Sequence, residues 1–402
     1  MKELQPFKMS KRFENVKLIS AAAAKTPHDL IPLSFGFPAK EAYDVSLMAK
    51  CSSKAIEEGG YKSFEYGGAT GPSRIVKWLK KRSEIRGIYA PEENILVTTG
   101  SGQAMDILAR GLTNEGDEVW VEAPTFFGAL RNFTLAGLKC RGFEIDENGL
   151  KVDLVEEALV AAKNNGLPMP KFIYIMPNFH NPGGVTLSLE RRMKLAKLAL
   201  AYNFFIIEDD AYTELNFSER VLPAVYQFAP QRVIYMSTFS KTIAPAIRMG
   251  WLVAPPEIIM QLRSLKADGS TSVLMQEIVA AYLETIDFDD HVGNISKLYK
   301  SRLDAMIKAI DDYLGDEVTY TAPEGGFFLW LTFKEEVATS LFEELALEKG
   351  VSFILGEHCY AENEEKNHIR LCFSYCDEEM CKEAIKRIAE AYYEKYPVKK
   401  LV

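Results

Sequence analysis

Val233-Ile234-Tyr235-Met236-Ser237-Thr238-Phe239-Ser240-Lys241, with Arg248-Met249-Gly250 seven residues further on, is the stretch on which the reading of this chain turns. An apolar run of β character ends there in a hydroxyl-rich turn and a lysine. Lysines on helix surfaces snorkel into water, whereas this placement points the amine inward. Burial and a nearby arginine both oppose its charge, lower its pKa and leave an amine able to attack an aldehyde. A solvated loop lysine is the commoner fate of the residue, and the rest of the chain decides between the two.

Around that stretch short apolar runs alternate with helical ones. They are Ile95–Thr98 with a helix after Ser101, Val119–Glu122 with a helix after Thr125, Phe172–Met176 with a helix from Ser188, and then Phe204–Glu208, Val233–Met236 and Gly250–Val253. Such alternation predicts a largely parallel sheet covered by helices. Upstream, Pro6, Pro27, Pro32 and Pro38 interrupt any long element, and Ser34-Phe35-Gly36-Phe37-Pro38 reads as an extended arm. Past Asp287-Phe288-Asp289-Asp290 the pattern changes to a long helix from Val292 through Leu314, the run Gly325–Leu331, a helix, a strand and a terminal amphipathic helix. This predicts a second, α+β unit. With 402 residues, 48% of them apolar, the chain is long enough for a large domain and a smaller one.

Asp and Glu total 56 against 47 Lys and Arg, a net charge of −9, so nucleic acid and anionic membrane surfaces are repelled on average. Ala21–Ala24 is too short and too closely flanked by charge for a secretory segment, and no run reaches membrane-spanning length. The six cysteines (Cys51, Cys140, Cys359, Cys372, Cys376, Cys381) show no CxxC, which fits reduced thiols in the cytoplasm. The five histidines (His28, His180, His291, His358, His368) lack metal-ligand spacing, so no metal is assigned.

Each polar cluster of the first region follows a strand, where parallel sheets bind ligands. Thr99-Gly100-Ser101-Gly102-Gln103 joins strand to helix, either as an anion cradle or as an ordinary Gly-containing turn. Glu208-Asp209-Asp210-Ala211-Tyr212 ends an apolar strand; its acids suit a cationic ring nitrogen, or else a helix cap. Asn178-Phe179-His180-Asn181-Pro182-Gly183-Gly184 is a post-strand loop that a Pro-Gly turn also explains. Arg370, inside the apolar strand Asn367–Phe373, requires a carboxylate, internal or from a substrate.

In this order the pieces resemble the fold-type I pyridoxal phosphate enzymes, specifically the class I/II aminotransferases of the 2-aminoadipate and kynurenine branch, and with them the aminotransferase-like domains of MocR-type regulators. The likeness spans nearly the whole chain. Its most specific part is S/T-x-S-K-x6-R-x-G at Thr238 to Gly250, with N-P-x-G at Asn181 to Gly184, the pair Asp209 and Tyr212, and the late Arg370 in support.

The resemblance implies an α/β fold: a three-layer large domain with a mostly parallel seven-stranded sheet, plus a smaller α+β domain. Residues 1–60 would form the arm and part of the small domain, 61–290 the large domain and 291–402 the small one. It implies pyridoxal 5'-phosphate as cofactor, with Lys241 carrying it as a Schiff base and moving the substrate's α-proton. Asp209 would hold the ring nitrogen protonated, and Tyr212 and Asn181 would bond the 3-oxygen. Ser101, Gly102, Gln103, Thr238, Ser240 and Arg248 would hold the phosphate, and Phe126 would stack on the ring. Arg370 would grip the substrate carboxylate and Gly36 would close over it, with Asn181 also on the substrate side. Tyr66 would reach the phosphate of a neighbouring subunit, which implies a homodimer with shared sites.

The sequence departs from the family pattern at Gly183, where a hydroxyl residue is usual, and at Leu355-Gly356, where Pro-Gly is common. The arm's substrate-pocket residues match only loosely. The reading is transamination between an α-amino acid and a 2-oxo acid, 2-oxoglutarate being the acceptor, by a ping-pong mechanism. Its alternatives are an amino-acid-sensing regulator domain, against which the missing DNA-binding part and the acidic balance count, and another pyridoxal phosphate reaction such as β-elimination.

Overall fold

The computed structural model describes residues 7–8, 10, 29–68, 72–218, 220–362 and 364–397; Ala21–Ala24 and His28 lie outside them. Its strands in chain order are β1 (Ile31–Pro32), β2 (Ile95–Thr98), β3 (Glu118–Ala123), β4 (Lys139–Asp146), β5 (Gly149–Leu150), β6 (Phe172–Ile175), β7 (Phe205–Asp209), β8 (Val233–Thr238), β9 (Gly250–Val253), β10 (Val318–Thr319), β11 (Phe328–Phe333), β12 (Val351–Ser352), β13 (Ile354–Leu355) and β14 (His368–Cys372).

The large sheet runs β2-β9-β8-β7-β6-β3-β4-β5. Strands β8, β7, β6, β3 and β4 pair in parallel, β9 is antiparallel to both its neighbours, and the two-residue β5 turns back on β4 as an eighth strand beside the seven longer ones. Strands β2, β6, β8 and β9 are buried along their whole length, as strands covered on both faces must be. Alternate residues feed two cores: Leu96, Tyr174, Ile207 and Leu252 pack on one face, and Val97, Ile173, Ile206 and Val253 on the other. Local signals set the ends of the covering helices. Ser188 accepts a hydrogen bond from the Arg191 N–H (3.3 Å) at the start of Leu189–Tyr202, and Asn203 closes that helix at φ 58° before β7 begins.

Strand β4 does not announce itself in the sequence. Its residues Lys139, Arg141 and Glu144 are exposed, because it lies near the sheet edge and has no continuous apolar run to show. The four-stranded sheet β10-β11-β14-β13 is antiparallel and carries Arg370 on β14. Strand β1 pairs with β12, fastening the residues before the arm to the chain's C-terminal part. Helix Phe288–Tyr313 runs unbroken from the core around Val292 to the core around Leu303, so the boundary expected at 290/291 falls inside it. Among the described residues no helix is long and apolar enough to cross a membrane.

Strand β9 lies against the turn after β2. A Cβ on Gly250 would come 2.8 Å from the Gly100 carbonyl carbon and 2.9 Å from the Ser101 nitrogen, both main chain and unable to yield. Gly250→Ala is expected to lower the free energy of unfolding by about 1–3 kcal/mol, measured by urea denaturation. Gly102→Ala, whose Cβ would meet nothing within 4 Å, is the control expected to unfold close to the parent.

Candidate active site

Five polar turns converge at the carboxyl ends of the parallel strands, and the arm crosses above them. Lys241 leaves the turn after β8, and its Nζ donates to the Gly36 carbonyl at 3.0 Å. The amine also lies 5.8 Å from the Tyr212 ring centroid and 5.7 Å from that of Phe327. Burial pushes its pKa down to about 8; Arg370 and Arg248 act in the same direction, and Cys372 and Asp209 oppose them. The side chain as a whole is half-buried, with the amine turned inward to the Gly36 carbonyl and the Tyr212 and Phe327 rings.

Strand β7 ends in three acids whose side chains alternate between faces. Glu208 accepts from the Val225 and Tyr226 N–H groups (2.8 and 2.9 Å), capping the short turn that begins there. Asp210 is paired with Arg86 (3.1 Å) and accepts from Asn178 Nδ2 (2.6 Å). Asp209 points the other way, 2% exposed, with Oδ2 taken by the Tyr174 hydroxyl at 2.7 Å and Oδ1 buried without a donor. Burial raises its pKa to about 7, against the Tyr174 hydrogen bond, which lowers it.

Arg370 is 1% exposed and no carboxylate of the described residues pairs with it. Its Nη1 donates to Asn181 Oδ1 (2.9 Å), its Nη2 to the Ser34 carbonyl, and its Nε has no partner. The guanidinium lies 4.2 Å from the Phe328 ring centroid and 5.1 Å from that of Phe127. Burial lowers its pKa. Asn181 also faces the buried Tyr212 hydroxyl, whose pKa burial raises.

The helix Gly100–Leu112 starts with Ser101 and Gly102, so its first-turn N–H groups face the same cleft. Arg248 sits over this turn with only long contacts to carbonyls, 3.5 Å to Thr99 and 3.4 Å to Pro245. A Cβ on Gly100 would come 2.6 Å from its Nη2, so the guanidinium lies directly on the turn. Phe126 caps the neighbouring helix Phe127–Leu135, its ring 5.3 Å from that of Phe127.

Other expected site residues are engaged differently. Gln103 donates to Asp268 (2.7 Å) and accepts from the Thr99 N–H (2.8 Å), so its amide is committed to the Thr99 turn and to a distant carboxylate. The Thr238 hydroxyl donates to the Met249 carbonyl (3.0 Å) and lies 2.9 Å from Ser240 Oγ, so both hydroxyls shape the turn that presents Lys241. Tyr66 is 97% exposed and touches nothing in its own chain's site. Residues that sequence reasoning missed include Tyr174, Phe127, Phe328 and the Ser34 carbonyl. None of them carries a local signal: Tyr174 sits inside the apolar run Phe172–Ile175, and the structure alone puts it on a face with Phe172 and Ile207.

A donor-free buried carboxylate oxygen, a lysine of lowered pKa, and a helix start topped by an arginine fit a ring with a cationic nitrogen, an aldehyde and a phosphate. Together with the doubly covered sheet they define a fold-type I enzyme, and the chain belongs to the family Aminotransferase class I and II, which residues 66–388 match. The chain is similar to aromatic-amino-acid aminotransferase 1 of Thermococcus litoralis, 38% identical over 91% of this chain and 88% of that one. It is also similar to 2-aminoadipate transaminase of Thermus thermophilus, 32% identical over 89% of each chain. Among solved structures, kynurenine aminotransferase of Pyrococcus horikoshii, in complex with PMP and kynurenine, superposes with a TM-score of 0.89 at 34% identity, covering 96% of this chain and 97% of that one. The protein is an aminotransferase.

The lowered pKa of Lys241 has a direct readout. With the cofactor removed, reductive alkylation of Lys241 by a small aldehyde, mapped by mass spectrometry, is expected to rise with pH to a half-maximum near 8, where the amine loses its proton. A half-maximum near the ordinary lysine value of about 10.4 contradicts the burial argument.

Proposed function

We propose that this aminotransferase moves the amino group of an α-amino acid to a 2-oxo acid, 2-oxoglutarate being the acceptor, in two half-reactions at one site. Pyridoxal 5'-phosphate is the cofactor. The observation that carries the reading is one cleft holding three unmet demands: Asp209 Oδ1 without a donor, Arg370 without a carboxylate, and a Lys241 amine pushed down to about 8. A structural protein has no reason to bury all three.

When bound, the cofactor supplies an aldehyde and an electron-accepting ring that together acidify the substrate's α-carbon. The chain's own residues do the rest. Asp209 Oδ1 is the acceptor for the ring nitrogen's proton, and Tyr212 and Asn181 serve the ring's 3-oxygen. The first-turn N–H groups of Ser101 and Gly102, with Arg248, hold the phosphate; Thr238 and Ser240 build the turn beneath it. Lys241, neutral once its proton is lost, would accept the proton of the substrate's α-carbon at Nζ and give it up again within the same cleft. Arg370 receives the substrate carboxylate through its free Nε and the Nη2 now on Ser34, while Phe127 and Phe328 exclude water from the pair. Gly36 stands over the amine through its carbonyl.

The same reading makes the protein a homodimer. Val45, Tyr61, Phe64 and Tyr66 are all exposed on the segment around helix Val45–Gly59, and a second copy covering this segment would bring Tyr66 to the partner's phosphate cradle. The six free cysteines fit the reducing cytoplasm.

The test is the visible spectrum of the loaded protein, titrated with single amino acids beginning with aromatic ones, kynurenine and 2-aminoadipate, followed by 2-oxoglutarate. Conversion of the cofactor to its amine form, and its return with the oxo acid, supports the reading; a spectrum that no amino acid converts refutes it. Lys241→Ala is expected to fold and to lose turnover by about 10⁴-fold or more. Arg370→Ala is expected to lower kcat/KM by about 10²–10³-fold, mostly through KM, in steady-state assays. Sedimentation of the loaded protein as a monomer refutes the shared site.

A further inference from the structure

Asp209 is held from one side, and the residue that holds it has none of the roles given above. Tyr174 pairs with Ile207 across β6 and β7, so its side chain shares a face with Ile207 and with Asp209, two residues along. It is fully buried in the apolar layer with Phe172 and Ile207, its ring edge-on to Phe133 at 5.6 Å between centroids. Phenylalanine fills that layer at position 172, so packing alone does not call for a hydroxyl at 174. The hydroxyl has one partner, Asp209 Oδ2 at 2.7 Å.

We infer that Tyr174 is a positioning residue for the reaction: its hydroxyl fixes Asp209 through Oδ2, turns Oδ1 to the cofactor's ring nitrogen and favours the carboxylate over the carboxylic acid. The inference rests on the pyridoxal phosphate reading of the site. A phenol donating to Oδ2 favours Oδ1, the oxygen without a hydrogen bond, as the one on which Asp209 carries a proton. Oδ1 is also the oxygen that must accept from the protonated ring nitrogen, so a proton on Asp209 and a protonated ring compete for one atom. Burial holds the phenol's pKa well above its ordinary value, so Tyr174 remains a donor throughout the range in which Asp209 titrates.

The groups facing the pair come from each element around it. Asp210 follows in the chain and raises the Asp209 pKa, while the Ala211 N–H and then Lys241 from the turn after β8 lower it. Tyr212 beyond β7 and Glu122 on β3 face Tyr174. The charge of Asp210 is met by Arg86 at 3.1 Å, which leaves the Tyr174 hydrogen bond as the interaction that favours the ionised form of Asp209 most.

The test is the affinity of the cofactor-free protein for pyridoxal phosphate, measured by fluorescence titration from about pH 5 to about pH 9. Tyr174→Phe is expected to weaken binding about tenfold at neutral pH and to move the acid-side midpoint up by about one pH unit. Replacement of Tyr174 by 3-fluorotyrosine, of nearly the same shape but a stronger donor, is expected to move the midpoint down. With Asp209→Asn in place, adding Tyr174→Phe is expected to change the affinity by less than about twofold. An unmoved midpoint in Tyr174→Phe, even with weaker binding or lower stability, makes Tyr174 a packing residue and overturns the inference. If Tyr174→Phe does not fold, an unmoved midpoint in the fluorotyrosine protein overturns it instead. A parent protein that binds no pyridoxal phosphate at any pH overturns the functional reading, and this inference with it.

Discussion

A carboxylate buried at the end of a strand with one oxygen unpaired is the constraint on which the site is built. Leaving Asp209 Oδ1 without a donor is costly in a layer that raises the group's pKa to about 7. The surroundings limit that cost instead of removing it. Tyr174 satisfies the other oxygen, Arg86 and Asn178 take up the adjacent Asp210, and the two backbone N–H groups of Val225 and Tyr226 take up Glu208. Three consecutive acids are thereby given separate partners, with Asp209 on one face of the strand and Glu208 and Asp210 on the other, and among the described residues only the middle one has an oxygen with neither a hydrogen bond nor an ion pair.

The arm works on the same principle from above. Ser34 and Gly36 offer main-chain carbonyls to Arg370 and Lys241, and the Ser374 hydroxyl donates to the Phe37 carbonyl at 2.7 Å. Carbonyls are weaker partners than carboxylates for a buried cation, so they satisfy both groups without tying them up as an internal acid would. The β1–β12 pairing and the Leu33 carbonyl, which accepts from the Cys372 N–H at 2.9 Å, hold the arm next to the strand that carries Arg370. Arm and small sheet therefore present one surface to the cleft.

The sheet and much of the site were legible in the sequence because parallel strands buried on both faces appear as apolar runs, and the polar turns follow them. The resemblance places the acid three residues before Tyr212, at Asp209, and alternation along the chain turns Asp209 and Asp210 to opposite faces. Strand β4 was not legible, since near the edge it carries Lys139, Arg141 and Glu144 where an inner strand carries Val or Ile. Tyr174 was hidden for the opposite reason: inside the run Phe172–Ile175 a tyrosine counts as one more apolar residue, and only the fold shows where its hydroxyl goes. The engagement of Gln103 by Asp268 depends on a contact 165 positions apart, which no local pattern encodes.

The departure at Gly183 shows how such a contact can explain an unusual residue. A Cβ there would come 2.7 Å from Ile145 Cδ1 and 3.1 Å from His180 Nδ1. The Gly183 N–H donates to that same Nδ1 at 3.0 Å, which places the ring proton of a neutral His180 on Nε2, 3.1 Å from Glu122 Oε2. Glu122 in turn accepts from the Met176 N–H at 2.7 Å, so the imidazole, tied to the loop by the Gly183 N–H, rests against a carboxylate that joins the ends of β3 and β6 without hydrogen-bonding to it. A hydroxyl residue at 183 would crowd the imidazole that makes this tie. The glycine and His180 are thus one arrangement, in which the imidazole stiffens the Asn181 loop from beneath and Asn181 keeps its place between Arg370 and Tyr212.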